Sequence, residues 1–236
     1  MVDYPKGKMS SASPQEKDIT WQQVRANPEV KALLAMADQA MEIQGYTEHG
    51  DRHAKRIGKE SGRVLKELGF SEREVRLATI AGYLHDIGNV INREGQAQTG
   101  ALLACQILTR MEMPPTDIAE ILGAIGNHHE ENGSPVSNVS AALILCDKAD
   151  VHSSRVRNLK FIKFDIHDRV NYAAKKSTLL IDRNDKTITL SLEIDTSVAP
   201  VMEYFEIFMS RMLMSRRAAE FLGCKFQLLI NGTKIV

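Results

Sequence analysis

Imidazoles and carboxylates gather at four places in this chain, each at a helix end or on an apolar helix stripe. His49 and His53 stand i, i+4, a spacing that sets both on one face of a helix. His85-Asp86 closes the apolar run Tyr83-Leu84 and precedes Ile87-Gly88. His128-His129-Glu130 follows a second apolar helix, and Asp147 and Asp150 stand i, i+3 among Ala, Leu, Ile and Cys. One His-Asp dipeptide carries little weight, and the chain has another in His167-Asp168. The set weighs more, because carboxylates are rarely buried unless they are paired or bound to a cation. Asp147 follows Leu143-Ile144-Leu145-Cys146, where burial without a nearby cation is hard to explain. Neutral imidazole with carboxylate is a ligand set for Zn, Fe, Mn, Ni or Co. The lack of thiolates in these groups argues against a structural zinc.

Such side chains need rigid elements to hold them, and apolar periodicity supplies helices. The polar stretch 1–18 reads as a flexible tail. Asn27-Pro28-Glu29 is a helix start, with Val30, Leu33, Leu34, Ala37 and Met41 at the helical period and Gly45 as the stop. A second helix is expected over about 49–68, before Gly69. The Ser71-x-x-Glu74 capping box opens a third, which should run to about Gly88. Three more are expected over about 98–111, 117–129 and 138–152. Beyond them the pattern changes to two β-rich runs, 178–181 and 187–194, joined by the turn 182–186. A long helix over about 199–222 and a last strand over 224–230 complete the chain. The fold class is therefore mainly α: a helical domain over 19–176 with a small β-β-α-β appendage over 177–236.

A length of 236 residues, with 43% hydrophobic and 25% charged residues, is enough for a buried core and excludes global disorder. Zero net charge argues against a nucleic-acid coat. The charge is uneven: 151–176 holds Arg155, Arg157, Lys160, Lys163, Arg169, Lys175 and Lys176 against Asp165 and Asp168. Cys105, Cys146 and Cys224 are far apart and odd in number, as expected of reduced thiols. The polar N-terminus has no signal-like apolar segment, so a cytoplasmic location is expected. No membrane partner is expected either, since no apolar run reaches the length of a span.

The order His53, His85-Asp86, Asp147 resembles the signature of the HD-domain superfamily of metal-dependent phosphohydrolases. His53-Ala54-Lys55-Arg56-Ile57 looks like the helix of its first histidine. Ala81-Gly82-Tyr83-Leu84-His85-Asp86-Ile87-Gly88 is similar to its central motif, and Leu145-Cys146-Asp147-Lys148 to its last. The resemblance covers roughly residues 45–155 and implies an HD-type helical bundle. It also implies that His53, His85, Asp86 and Asp147 hold one divalent ion. His128 and His129 take the place of the later histidine pair that binds a second ion in two-metal members, with Asp86 as the bridge. Gln96 falls where a further family histidine stands, so one ion is expected and a second is left open. The Gly-Tyr-Pro of the branch that cleaves cyclic dinucleotides is absent, with Glu131-Asn132-Gly133-Ser134-Pro135 following Glu130 instead.

The implied reaction is hydrolysis of a phosphate ester, of a nucleotide or cyclic nucleotide foremost, by water activated on the ion. Asp86 and Glu130 are the candidates to orient that water or take its proton. Lys148, Arg155 and Arg157 are the candidates to hold the phosphate, with Lys148 counted in catalysis as well. Whether the product is that of a monoesterase or a diesterase stays open, as does homodimerisation. His49, His167 and Asp168 are left without a role. The alternative is an HD-type ligand-binding or regulatory module with little turnover.

Overall fold

Thr20 and Gln23 cap each other reciprocally and open a short helix, α1 (Trp21–Ala26), which the sequence analysis passed over. Asn27 then accepts from the amides of Glu29 and Val30, and Pro28 begins α2 (Pro28–Ile43). The computed structural model describes residues 18–157 and 165–236. Residues 1–17 of the expected tail, and Lys160 and Lys163 of the basic segment, lie outside the described residues.

Helix α3 (Asp51–Leu68) is capped by Gly50 and stopped by Gly69, whose φ of 85° is left-handed. His49 therefore precedes the helix and does not share its face with His53, as the i, i+4 spacing had suggested. Its amide is taken by Asp38 Oδ1 at 3.0 Å, which holds the chain outside the helix. The Ser71–Glu74 box opens α4 (Glu72–Leu84), as expected. That helix ends four residues before Gly88, with His85 at its cap, and a 3-10 turn over Ile87–Val90 follows. Then come α5 (Gln96–Arg110), α6 (Pro115–Gly126) and α7 (Asn138–Ala149). Every residue of α7 from Val139 to Cys146 is buried, which makes it the central helix. A 3-10 turn at Ser153–Arg155 and the helix α8 (Ile166–Ala173) lead to the sheet.

Strands β1 (Ala174–Asp182) and β2 (Thr187–Ile194) form the expected hairpin, with β1 starting earlier than its periodicity suggested. Asp182 Oδ1 accepts from the amides of Asn184 and Asp185 and shapes the turn. Helix α9 (Val201–Phe221) crosses back, so that β3 (Lys225–Ile230) pairs parallel with β2. A two-residue β4 (Thr233–Lys234) completes the order β1-β2-β3-β4. The mainly α fold with a small C-terminal sheet is thus present. A single apolar cluster runs from Ile19 and Val24 through α7 to Phe208, Leu190 and Leu228. Helix α9 packs against α7, which brings the C-terminal segment up to the bundle. Among the described residues no helix is long and apolar enough to cross a membrane.

One close approach positions the site. Helices α3 and α4 meet at Gly58 and Gly82, where a Cβ on Gly82 would lie 2.8 Å from Gly58 Cα and 2.9 Å from the Ile57 carbonyl oxygen. Only the absence of side chains lets the backbones come this near. His53 lies just over one turn before Gly58, and His85 three residues after Gly82, so the crossing drives both imidazoles together.

Candidate metal centre

The donor and acceptor state of each imidazole follows from its neighbours. His53 Nδ1 lies 2.6 Å from Asp150 Oδ2, His85 Nδ1 2.8 Å from the Gly82 carbonyl, and His128 Nδ1 2.6 Å from the Ile125 carbonyl. His49 Nδ1 lies 2.6 Å from the Thr47 carbonyl. Each Nδ1 faces an acceptor and so carries the proton, which leaves each Nε2 with a lone pair.

Two of these lone pairs are satisfied. His49 Nε2 accepts from Arg155 Nη2 at 3.1 Å, and His128 Nε2 accepts from Gln96 Nε2 at 2.9 Å. The other two face each other: His53 Nε2 and His85 Nε2 are 3.3 Å apart. Asp86 Oδ2 lies 3.5 Å from the first and 3.2 Å from the second. Asp147 Oδ1 lies 3.5 and 3.6 Å from the same two atoms. The ligand atoms thus form two clusters that share His85, one of His53, His85 and Asp147 and one of His85, Asp86 and His128, with all atoms of each within 4.8 Å of one another. Ligands about 2.0–2.2 Å from a shared ion, at angles near 90–110°, stand about 2.9–3.6 Å apart. The observed edges match that shell.

Asp86 Oδ2 is buried and has no hydrogen-bond partner, while Asn89 Nδ2 donates to its Oδ1 at 3.0 Å. An orphaned carboxylate oxygen beside two lone pairs is costly unless a cation joins them. Burial alone would lower the His85 pKa, yet without a cation in the cluster Asp86 and Asp147 pull it up to about 10. A proton on Nε2 then takes the place that a cation would otherwise fill on that lone pair. Burial works against charge on Asp86 and Asp147 too, but His85 for the one and Lys148 for the other hold them well below the usual carboxylate range. The cluster thus calls for positive charge, and its donor set fits a divalent ion. Behind it, Asp150 is buried and paired with Arg56 Nη1 at 2.9 Å, so a carboxylate orients His53 from the rear.

The other expected residues fall into distinct places. His128 lies within 4.8 Å of the ligand atoms of His85 and Asp86. Burial lowers its pKa to about 3, so it is a neutral donor at physiological pH. His129 is half-buried beside it, with ring centroids 6.5 Å apart, and is in neither cluster of ligand atoms. Lys148 Nζ sits 2.7 Å from Asp147 Oδ2 and 2.6 Å from Glu130 Oε2. Burial would raise the Glu130 pKa, but Lys148 and Arg211 hold it far below the usual range. Glu130 is thus an ion-pair partner of two cations, a poor acceptor for a proton at neutral pH. Arg155 is buried and donates to the Asp150 and Glu48 carbonyls at 2.8 and 3.2 Å. Arg157 instead pairs with Asp38 and the Tyr46 carbonyl, and lines neither cavity described below.

A water-sized space of about 10 Å³ lies over the cluster, between Asp86, Asp147, His128 and Lys148. It adjoins a cavity of about 750 Å³, large enough for a small-molecule ligand, whose walls include Tyr46, Asn92, His167, Asp168 and Asn171. Of the residues that line the inner space, Arg93 and Arg211 carried no signal in the sequence. Neither stands in a motif, and Arg211 lies on α9, 64 positions after Asp147.

Ribonuclease Y of Lawsonia intracellularis is 31% identical over 103 residues, or 44% of this chain. The chain spans only 18% of that protein's length. Uncharacterized protein MJ1020 of Methanocaldococcus jannaschii is 27% identical over 191 residues, covering 70% of this chain and 72% of its own length. Residues 50–155, which carry His53, His85, Asp86, His128, His129, Asp147 and Asp150, match the family model of the HD domain, and this match supports membership of the HD-domain superfamily.

Proposed function

We propose that this chain hydrolyses a phosphate ester, of a nucleotide foremost, at a divalent ion held by His53, His85, Asp86 and Asp147. The observation that carries the reading is the orphaned Asp86 Oδ2 facing two imidazole lone pairs. Mn, Fe, Ni, Co and Zn all suit this donor set. Such an ion, when bound, supplies Lewis acidity, lowering the pKa of water from 15.7 towards about 7 and offsetting charge on phosphate oxygens. The protein's own groups do the rest. Asp150 fixes the His53 ring, and the Gly82 carbonyl fixes His85, so both lone pairs stay aimed without reorganisation. Lys148, locked between Asp147 and Glu130, puts a fixed ammonium where phosphate charge grows. Arg155, gripped by two carbonyls, presents its guanidinium to the same space. The wide cavity has room for a nucleoside, with Tyr46 and Asn92 in its wall.

One observation favours a rival reading, a binding module with little turnover. Gln96 donates to His128 Nε2 and so occupies a lone pair that a second ion would need. Elemental analysis of the purified protein, followed by a panel of nucleotides and cyclic nucleotides with Mn²⁺ or Ni²⁺, separates the two. Bound metal with turnover that Asp86→Ala abolishes supports the hydrolase. Tight nucleotide binding without turnover supports the module.

A further inference from the structure

The wall of the inner space holds four basic side chains, Lys148, Arg93, Arg155 and Arg211, around Asp86 and Asp147. Glu130 adds a third carboxylate, bound to Lys148 and Arg211. Asp150 lies 3.8 Å from Arg155 Nε and also holds Arg56, so five cations stand against four carboxylates. One positive charge is unmatched, and a divalent ion raises that excess to three. Excess charge in a largely buried site is costly until an anion balances it. A phosphate diester brings one negative charge. A terminal phosphate, whose second pKa is about 6, brings close to two at neutral pH.

The donors are also in place. Arg211 spends only Nε on Glu130, at 3.2 Å, and its terminal nitrogens have no hydrogen-bond partner among the described residues. Arg93 makes one long bond, Nη1 to Asn89 Oδ1 at 3.4 Å, and its guanidinium lies over the Tyr46 ring. The two come from separate elements: Arg93 follows the 3-10 turn after α4, and Arg211 lies midway along α9. Both line the inner space and the wide cavity, so they stand where one passes into the other. A phosphate there has its single substituent in the wide cavity.

Resting on the hydrolase reading, we propose that this site takes a phosphate monoester, its terminal dianion gripped between Arg93 and Arg211. The C-terminal helix thereby contributes a substrate-binding residue to the HD centre.

The test uses the full chain loaded with Mn²⁺. Its initial rates on p-nitrophenyl phosphate and on bis(p-nitrophenyl) phosphate are compared, and inorganic phosphate binding is measured by calorimetry. The monoester should be preferred in kcat/KM. Arg93→Gln and Arg211→Gln should each weaken phosphate binding by about tenfold or more, the scale of a lost charge-assisted bond. Arg211→Lys, which keeps the charge, should recover part of that loss. Equal or faster diester cleavage overturns the assignment, as does phosphate binding unchanged in both glutamine variants. Weakened phosphate binding in the variants together with preference for the monoester supports the dianion site. Metal content reads the underlying proposal separately: a wild-type chain that holds no divalent ion fails the hydrolase reading. A loaded chain that prefers the diester fails only the dianion assignment.

Discussion

Gly82→Ala sets two opposed effects against each other, and the structure decides which wins. In an ordinary helix interior the change stabilises by about 1 kcal/mol, because glycine loses more backbone freedom on folding. Here the new Cβ would lie 2.8 Å from Gly58 Cα, 2.9 Å from Gly58 N and 2.9 Å from the Ile57 carbonyl oxygen. All three are backbone atoms, so no side chain can rotate away. Restoring ordinary contact requires α3 and α4 to separate by about 0.5 Å, and overpacking of this kind costs about 1–3 kcal/mol. Against backbone the upper part of that range applies, leaving a net loss of about 1–2 kcal/mol. In a chain of this size that lowers Tm by about 2–8 °C. The same separation pulls His53 from His85, while metal ligation tolerates only about 0.2 Å. Divalent-ion affinity, measured by competition with a chelator, should therefore fall by about tenfold or more although no ligand is altered. Gly123→Ala is the control, because its Cβ would meet only Val136 Cγ2 at 3.6 Å. It should leave affinity unchanged and hold or raise Tm. A Gly82→Ala protein with wild-type affinity and a raised Tm would refute the claim that the glycine crossing sets the ligand spacing.

Three further outcomes are expected. Asp150→Asn removes the charge behind His53 and from the partner of Arg56, and should weaken ion binding by about 10–100-fold in a chelator competition; unchanged affinity would remove Asp150 from the site's support. Calorimetric titration of the wild type should show one tight and one weak ion, because Gln96 occupies His128 Nε2, and Gln96→His should tighten the weak one; identical titrations would mean that Gln96 does not limit a second ion. Arg157→Ala should leave KM unchanged and lower stability by about 1 kcal/mol or less, since that guanidinium serves Asp38 and the Tyr46 carbonyl; a raised KM would return Arg157 to the substrate.

Much of the fold was legible because its signals are local. The Asn27-Pro28 start, the Ser71–Glu74 box and the Gly69 stop each act through bonds within a few residues, so their spacing alone reveals them. The opening of α1 was equally local, in Thr20 and Gln23, and was overlooked. The ligand types and their order along the chain were legible as well, since His53, His85-Asp86 and Asp147 sit in recognisable motifs. What distinguishes one histidine from another was not legible. His49 and His128 look as suitable as His53 and His85 until Arg155 and Gln96 are seen to occupy their lone pairs. Those bonds join residues 106 and 32 positions apart, and no periodicity encodes them. The crossing at Gly58 and Gly82 and the reach of Arg211 to Glu130 are of the same kind. Local hydrogen bonding and apolar spacing therefore determined which elements form and which side chains can do chemistry. Packing decided which of those side chains keep an uncommitted lone pair, guanidinium nitrogen or carboxylate oxygen, because only contact across the fold determines which of them find partners.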